Sequence, residues 1–472
     1  MEAQLVVLGG GPGGYAAAFL AADLGMDVVI VDQEGRLGGV CLLRGCIPSK
    51  ALLHVAKVME EASELSQWGV AYGKPKIDLD AVRARKDKVI DTLSGGLGQL
   101  AKKRKVRVIQ ARGTFVDGNT LRLQPVGDTK LEDETLRFEH CIIATGSRPT
   151  AIPAFEIGSE RVLDSTGALA LPEVPKRLLV VGGGYIGLEL GTVYAALGSK
   201  VSVVELTEGL LPGADRDLVR PLAKRLKERF EALHLNTKVV SLVEKNKKIE
   251  VTLEDGDGTR VEKYDYVLVS IGRRPNTENL GLENTKVEID ERGFIKVDSQ
   301  LRTAEPAILA IGDVAGQPML AHKAAHEGRT AVEGLAGHAV AFEPRAIPAV
   351  VFTDPEIAWA GLTETEAKAK GVEYETAVFP WGASGRAQAV GRTEGLTKWL
   401  VDPTSERVLG CGIVGVGAGD LIGEAVLAIE MGASVRDVTE SIHPHPTLCE
   451  TLGFAGEVFY GTATDMYRPK RK

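Results

Sequence analysis

Twice in this chain an apolar run ends in a glycine cluster, passes into a helical stretch and returns as a second apolar run closed by an acid. The first copy reads Gln4–Leu8, then Gly9-Gly10-Gly11-Pro12-Gly13-Gly14, an alanine-rich Tyr15–Leu24, Gly25 as a stop, and Asp27–Asp32. The second reads Arg177–Val181, Gly182-Gly183-Gly184-Tyr185-Ile186-Gly187, Leu188–Leu197, Gly198, and Val201–Glu205. The interval from first glycine to closing acid is the same, 9 to 32 and 182 to 205. An internal repeat of this kind predicts two strand–turn–helix–strand nucleotide-binding units in an α/β fold. Gly9, Gly11 and Gly14 fill the three fingerprint positions. Without side chains there, the backbone turns tightly and a pyrophosphate can approach the helix N-terminus. Asp32 can accept hydrogen bonds from a ribose. Glu205 places a negative charge where a 2′-phosphate would lie, and no Arg or Lys follows in Leu206–Leu211, which favours NAD over NADP.

Each unit has a later, matched stretch. Cys141–Pro149 follows the first and Val267–Pro275 the second, and both read as strand-to-linker exits. Gly146 and Gly272 let the chain pass close to a cofactor there. Ala307–Asp313 is another buried strand ending in an acid. Asp313 can hold a polar cofactor chain or cap the segment that follows. Amphipathic helices are expected at Ala51–Ser66, Leu79–Lys103 and Asp215–Glu228. After Arg345 short strands (Ala349–Thr353, Thr397–Asp402, Val408–Val416) alternate with helices (Thr363–Lys370, Gly419–Met431), which predicts a final α+β domain. The tail Arg468–Lys472 reads as a charged, mobile end.

Cys41 and Cys46 stand in the glycine-flanked stretch Gly38–Lys50. Residues five apart in a straight helix have Cα atoms roughly 8–9 Å apart, whereas a disulfide needs about 4.4–6.8 Å. A bridge therefore requires a bent backbone, for which Gly45 and Pro48 are suited. A strained bridge is readily reduced, as a catalytic one must be. Two unpaired cysteines on a buried helix is the plainer reading. The cysteines at 41, 46, 141, 411 and 449 are too few and scattered for a secreted disulfide framework, so a reducing compartment is expected. The first apolar run enters a glycine loop without a basic segment before it, unlike a signal peptide, and no apolar run is expected to reach membrane-spanning length. With 472 residues, about three domains are expected. The net charge of −8 argues against a nucleic-acid footprint and permits a basic protein partner.

Near the C-terminus, Ser441–Glu450 contains His443-Pro444-His445-Pro446 and a following acid. Metal ligation is disfavoured, because the spacing gives the imidazoles no common helical face. An acid–base dyad of His445 and Glu450 is the better reading, since an imidazole near neutrality can take a proton from a thiol.

Taken together, the Gly39–Lys50 stretch, the two glycine turns, the Thr303–Asp313 strand and the His-Pro-His-Pro-Thr-x-x-Glu segment resemble the pyridine nucleotide–disulfide oxidoreductases over essentially the full length, and within them the dihydrolipoamide-oxidising branch. The resemblance implies two Rossmann-like domains, for FAD (1–150) and NAD (151–272), a central segment completing the FAD site (273–345) and an interface domain (346–472). It implies that Gly9, Gly11, Gly14, Asp32, Lys50, Gly113, Thr145, Gly146, Gly312, Asp313 and Ala321 hold FAD, and Gly182, Gly184, Gly187, Glu205 and Gly272 hold NAD. Cys46 would be the sulfur against the flavin and Cys41 the one that exchanges with substrate. Lys50 would pair with Glu189. His445 and Glu450 would complete the partner's site in a homodimer, with a cis His445–Pro446 bond. No metal is implied. The implied partner is a lipoyl-bearing acyltransferase or a glycine-cleavage lipoyl protein, in a bacterial cytoplasm or, after processing, an organelle. Glutathione and mercuric reductases fit less well: Glu205 disfavours NADPH, and the C-terminus has no vicinal cysteines. A related disulfide reductase with another thiol substrate is the alternative. Several positions depart from the family pattern. Val40, Leu42-Leu43-Arg44, Tyr185 and Cys449 replace more usual residues. Arg44 could steer a substrate or lower a thiol pKa, with a solvated side chain as the plainer expectation.

Overall fold

The computed structural model describes residues 1–131 and 133–467; the tail expected to be mobile, 468–472, lies outside the described residues. Strands Glu2–Leu8, Val28–Asp32 and Arg177–Val181 are near-continuous apolar runs, and Leu5–Val7, Val29–Val31 and Leu178–Val180 are fully buried. Burial on both faces is what a parallel sheet covered by helices requires.

The two repeats build the same sheet. In the first, parallel strands lie in the spatial order Ile308–Ala310, Thr135–Ile143, Glu2–Leu8, Val28–Asp32, Arg107–Asp117. Thr120–Pro125 pairs antiparallel between the outer ends of Arg107–Asp117 and Thr135–Ile143. In the second the order is Val162–Leu163, Tyr266–Val269, Arg177–Val181, Lys200–Val204, Ala232–His234, all parallel. An antiparallel meander, Lys238–Lys245, Lys248–Asp255 and Gly258–Tyr264, stands at the corresponding place in this unit. The matched exits meet: Ser147–Pro149 pairs antiparallel with Arg273–Pro275.

The last domain is an antiparallel sheet ordered Ala349–Val351, Glu356–Gly361, Val408–Gly415, Leu396–Val401, Glu375–Pro380. Helices Ala418–Met431 and Glu450–Tyr460 pack on it. Trp381 and Trp399 are fully buried at its centre, and each indole N–H finds an acceptor, Thr397 Oγ1 at 3.0 Å and Leu452 O at 2.9 Å. The final α+β domain is present, with strands Glu356–Gly361 and Glu375–Pro380 beyond those expected.

Charged groups tie the three units together. Lys398, only 1% exposed, donates to Asp215 at 2.9 Å, Asp217 at 2.8 Å and Glu364 at 2.8 Å. Those carboxylates are the one cluster among the described residues with metal-ligand spacing, and the lysine ammonium occupies it. Arg225 on helix Arg216–Arg229 reaches both Glu64 of the first unit and Asp354 of the last.

One expectation needs correcting. Gly39–Trp68 is 30 residues of helical, apolar chain, long enough by composition to cross a membrane. The structure breaks it at Gly45, and its longer part packs on helices Tyr185–Ala196 and Leu79–Lys103. The length comes from a core helix that starts at Cys46, earlier than the expected Ala51.

Candidate active site

The redox stretch folds as two helices, Gly39–Arg44 and Cys46–Glu64, separated by Gly45 at φ −144°, ψ −111°. A Cβ on Gly45 would lie 2.8 Å from the Val40 carbonyl oxygen, so only glycine allows this close turn. The bend that a bridge requires is thus present. It brings Cys41 against Cys46, both as free thiols, close enough for each to shift the other's pKa. That contact, aided by the Lys50 ammonium, lowers the Cys46 pKa to about 7 against the opposing effects of burial and Glu189. The same contact, with burial, pushes the Cys41 thiol far up. Cys46, whose pKa is lowered, is the readier of the two to lose its proton.

Lys50 lies one helical turn after Cys46. Its ammonium pairs with Glu189 Oε2 at 2.8 Å and lies 4.5 Å over the Phe352 ring. Glu189, 4% exposed on helix Tyr185–Ala196, accepts a second bond from the Phe352 backbone N–H at 2.9 Å. All three units therefore meet at this carboxylate.

Cys41, Cys46, Lys50 and Glu189 line one cleft of about 1290 Å³, counting its open mouth. Gly9, Gly11, Asp32, Thr145, Gly146, Gly312, Asp313 and Ala321 line the same cleft, and Gly113 lines a second that continues from it. Gly14 is buried beneath: a Cβ there would lie 1.9 Å from the Gly9 carbonyl oxygen. At Gly11 a Cβ would meet nothing closer than 3.9 Å. No neighbouring protein atom demands glycine at that point, so the bare backbone leaves room for a ligand. Helix Pro12–Asp23 begins there with no acidic side chain in its first turn, leaving its N-terminal N–H groups to an anion. Asp32 accepts from the backbone N–H groups of Gly10 and Glu34, while burial raises its pKa. Further along, Asp313 accepts from the Ser147 hydroxyl, and Arg273 donates to Ser147 Oγ at 2.7 Å. Asp313 caps no α-helix; it lies inside the short turn Gly312–Val314. An elongated cleft with an anion-binding turn at one end and a thiolate at the other fits a flavin dinucleotide. Ser147, Arg273 and Phe352 were not foreseen from sequence. The Ser147 and Arg273 positions followed glycines in the matched exits, which was the one available signal.

The second glycine turn copies the first in detail. Glu205 Oε2 accepts from Gly183 N–H at 2.7 Å as Asp32 does from Gly10, and Glu205 Oε1 accepts from Thr207 N–H at 2.8 Å. Gly9 and Gly182 have φ of +116° and +107°, and a Cβ on either would strike the backbone oxygen of Ala144 or Ser270. Gly187 stands 2.5 Å from the Gly182 oxygen by the same measure, and Gly184 opens to free space. Gly272, at φ +121°, accepts from the Thr150 N–H at 3.0 Å where the exits pair. Tyr185 begins the following helix, 40% exposed, and lines the redox cleft; burial of its phenol raises the pKa to about 12.

His445 Nδ1 lies 2.9 Å from Glu450 Oε1, and Glu450 Oε2 accepts from the Thr447 N–H at 2.7 Å. The Nδ1–H···carboxylate assignment leaves Nε2 as the base. The His445–Pro446 bond is cis. His445 is 78% exposed, and neither it nor Glu450 lines the cysteine cleft of its own chain. His443, which sequence left without a role, pairs with Glu424 at 2.7 Å. The Cys449 sulfur is 2.9 Å from the Thr447 hydroxyl. Arg44 corrects the expectation of a solvated side chain: it pairs with Glu34 and lines the cleft.

A sequence profile described as pyridine nucleotide-disulphide oxidoreductase matches residues 3–328, and one for that family's dimerisation domain matches 347–455. Dihydrolipoyl dehydrogenase from Vibrio cholerae is 51% identical over 100% of this chain and 98% of its own. Dihydrolipoyl dehydrogenase from Geobacillus stearothermophilus is 45% identical over 98% and 97%. Among solved structures, LpdA from Mycobacterium tuberculosis has a TM-score of 0.89 at 28% identity, covering 97% of this chain and 99% of its own. The HOCl-induced flavoprotein disulfide reductase RclA from Escherichia coli has a TM-score of 0.83 at 28% identity, covering 95% and 98%. Use of a flavin and a pyridine nucleotide goes with these domains, and a dimerisation domain is among them. With both profiles spanning the glycine turns, the redox helix and the last sheet, the chain belongs to the pyridine nucleotide-disulphide oxidoreductase family.

Proposed function

We propose that the chain oxidises protein-bound dihydrolipoamide and reduces NAD+, with FAD in the long cleft and the dyad of a second subunit completing each site. The observation that carries this is the thiol pair across the Gly45 break, with Cys46 lowered to about 7 and facing the cleft. The division into an FAD domain (1–150), an NAD domain (151–272), a central segment (273–345) and an interface domain (346–472) belongs to the same reading. NAD rather than NADP follows from Glu205, whose charge stands at the end of the second strand. The acyltransferase core of a 2-oxo acid dehydrogenase complex, or a glycine-cleavage lipoyl protein, is the partner that presents such a substrate. The bacterial cytoplasm is the compartment in this reading.

The chemistry of the chain's own groups is as follows. His445 Nε2 takes a proton from one substrate thiol, and Glu450 stabilises the imidazolium. The substrate sulfur attacks Cys41 Sγ of the oxidised pair. The Cys41–Cys46 bond breaks, a mixed disulfide forms, and Cys46 leaves as a thiolate held by Lys50. The second substrate sulfur then displaces Cys41, closing the cyclic disulfide. The Cys41 thiol takes one of the two substrate protons and the other goes to solvent. Bound in the cleft, the flavin supplies the two-electron path from the Cys46 thiolate to the nicotinamide.

The test is an anaerobic titration of the purified protein with dihydrolipoamide, followed in the visible spectrum, and then addition of NAD+. The expected result is a red-shifted thiolate–flavin band after two electrons, discharged by NAD+ with NADH formed. A protein that ignores dihydrolipoamide but shows the band with NADH retains the disulfide relay and loses this substrate, leaving a disulfide reductase acting on another thiol.

A further inference from the structure

The structure gives the Arg44 side chain a place that the sequence did not foresee. Arg44 ends the short helix that carries Cys41 and crosses to Glu34, two residues beyond the strand-end Asp32. It lines both the redox cleft and the cleft that continues from it. A guanidinium has five N–H donors. Among the described residues Glu34 is the sole acceptor of an Arg44 hydrogen bond, and it uses Nη2. The Nε and Nη1 donors are therefore free where the two clefts join.

The charges around the cleft make that cation matter. Its acids are Asp32, Glu34, Glu189 and Asp313; its bases are Arg44, Lys50 and Arg273. Lys50 is committed to Glu189, and Arg273 to Ser147 through Nε and Nη2. In the redox cleft Arg44 is the remaining cation; the continuing cleft adds Arg112, which donates to Gln33 Oε1, and Arg148, which pairs with Glu278. A dinucleotide brings a doubly negative diphosphate into a cleft whose lining acids outnumber its bases. The helix N-terminus offsets part of that charge.

We propose that Arg44 binds the anionic diphosphate–ribose half of the flavin dinucleotide, with Glu34 as the positioning residue that aims its guanidinium across the cleft. The inference rests on the flavin reading above. It makes cofactor retention a property of the redox helix itself: the segment that carries the thiols also holds the cofactor's polar half.

The test measures flavin release from the holoenzyme by the rise of free-flavin fluorescence after dilution, across a series of salt concentrations. Three variants are compared with the natural chain: Arg44→Met, Arg44→Lys and Glu34→Gln. Loss of one charge-assisted hydrogen bond accelerates release roughly tenfold or more in Arg44→Met. Salt accelerates release from the natural chain and much less from Arg44→Met. Arg44→Lys, a point charge without the fork, falls between, and Glu34→Gln accelerates release while keeping the salt response. Alkylation of the reduced cysteines, followed against pH, serves as the control. Its midpoint stays near that of the natural chain in Arg44→Met, because Arg44 is not among the groups that set the Cys46 thiolate. Unchanged release in Arg44→Met overturns the inference alone. So does faster release with an unaltered salt response or a shifted alkylation midpoint, which marks a loosened helix. A natural chain that purifies without flavin overturns both this inference and the proposed function.

Discussion

Replacing Lys50 by Met isolates one charge in the redox pair. The Cys46 thiol is lowered to about 7 by the Cys41 hydrogen bond and the Lys50 ammonium, against burial and the Glu189 carboxylate. Loss of a nearby opposite charge raises a pKa by roughly 1–3 units, and here the deletion also leaves Glu189 unneutralised, which acts in the same direction. The alkylation midpoint of Cys46 rises by roughly that amount. Glu189→Gln moves the other way: it removes the charge that opposes the thiolate, and its amide oxygen can still accept from the Phe352 N–H. The assay is the initial rate of iodoacetamide alkylation of the reduced protein at pH values from about 5.5 to 10, read as a midpoint. A Lys50→Met midpoint within a few tenths of the natural one would refute the electrostatic account. So would shifts of the same sign in the two variants.

Four further outcomes follow from the structure. Gly187→Ala, whose Cβ would lie 2.5 Å from both the Gly182 oxygen and the Ser270 hydroxyl, leaves flavin bound but abolishes reduction by NADH. Gly14→Ala, at 1.9 Å from the Gly9 oxygen, abolishes flavin retention itself; absorbance of the purified proteins and stopped-flow NADH reduction separate the two. Glu450→Gln weakens the His445 base and lowers dihydrolipoamide:NAD+ turnover by roughly 10²–10⁴-fold, while NADH still reduces the flavin. Burial raises the Asp354 pKa, but Arg392 and Arg225 outweigh it and hold the carboxyl below the usual carboxylate range. Its contribution to stability is therefore full above the ordinary aspartate value and lost as pH falls through the depressed one. Asp354→Asn flattens the acid limb of the unfolding free energy measured in denaturant at a series of pH values.

Glycine and acid positions carried most of the architecture, because a backbone that must turn within van der Waals reach of itself admits few alternatives. The turns at 9–14 and 182–187 folded as read, and helix Leu79–Lys103 begins and ends at the expected residues, with Asp78 as its N-cap. The meander from Lys238 to Tyr264 escaped notice. Its inward residues, Ile249, Val251 and Leu253, alternate with charged and polar ones, a period-2 signal in a stretch too polar to stand out. Helix Glu450–Tyr460 was hidden behind the acid of the proposed dyad, which is its first residue. At the site, the Lys50–Glu189 pair came from a resemblance. The Phe352 amide and the Arg44–Glu34 pair came from no sequence signal, since a contact between separate elements leaves no local pattern.

The bond from the Phe352 amide to Glu189 gives synthesis an order. A ribosome delivers the redox helix and both glycine turns well before residue 352, so the carboxylate that pairs with Lys50 still lacks its backstop while they form. Only when the last sheet docks is Glu189 held from both sides, by the ammonium and by the backbone of another domain. The Lys50–Glu189 pair beside Cys46 therefore takes its final form only after most of the chain has been made.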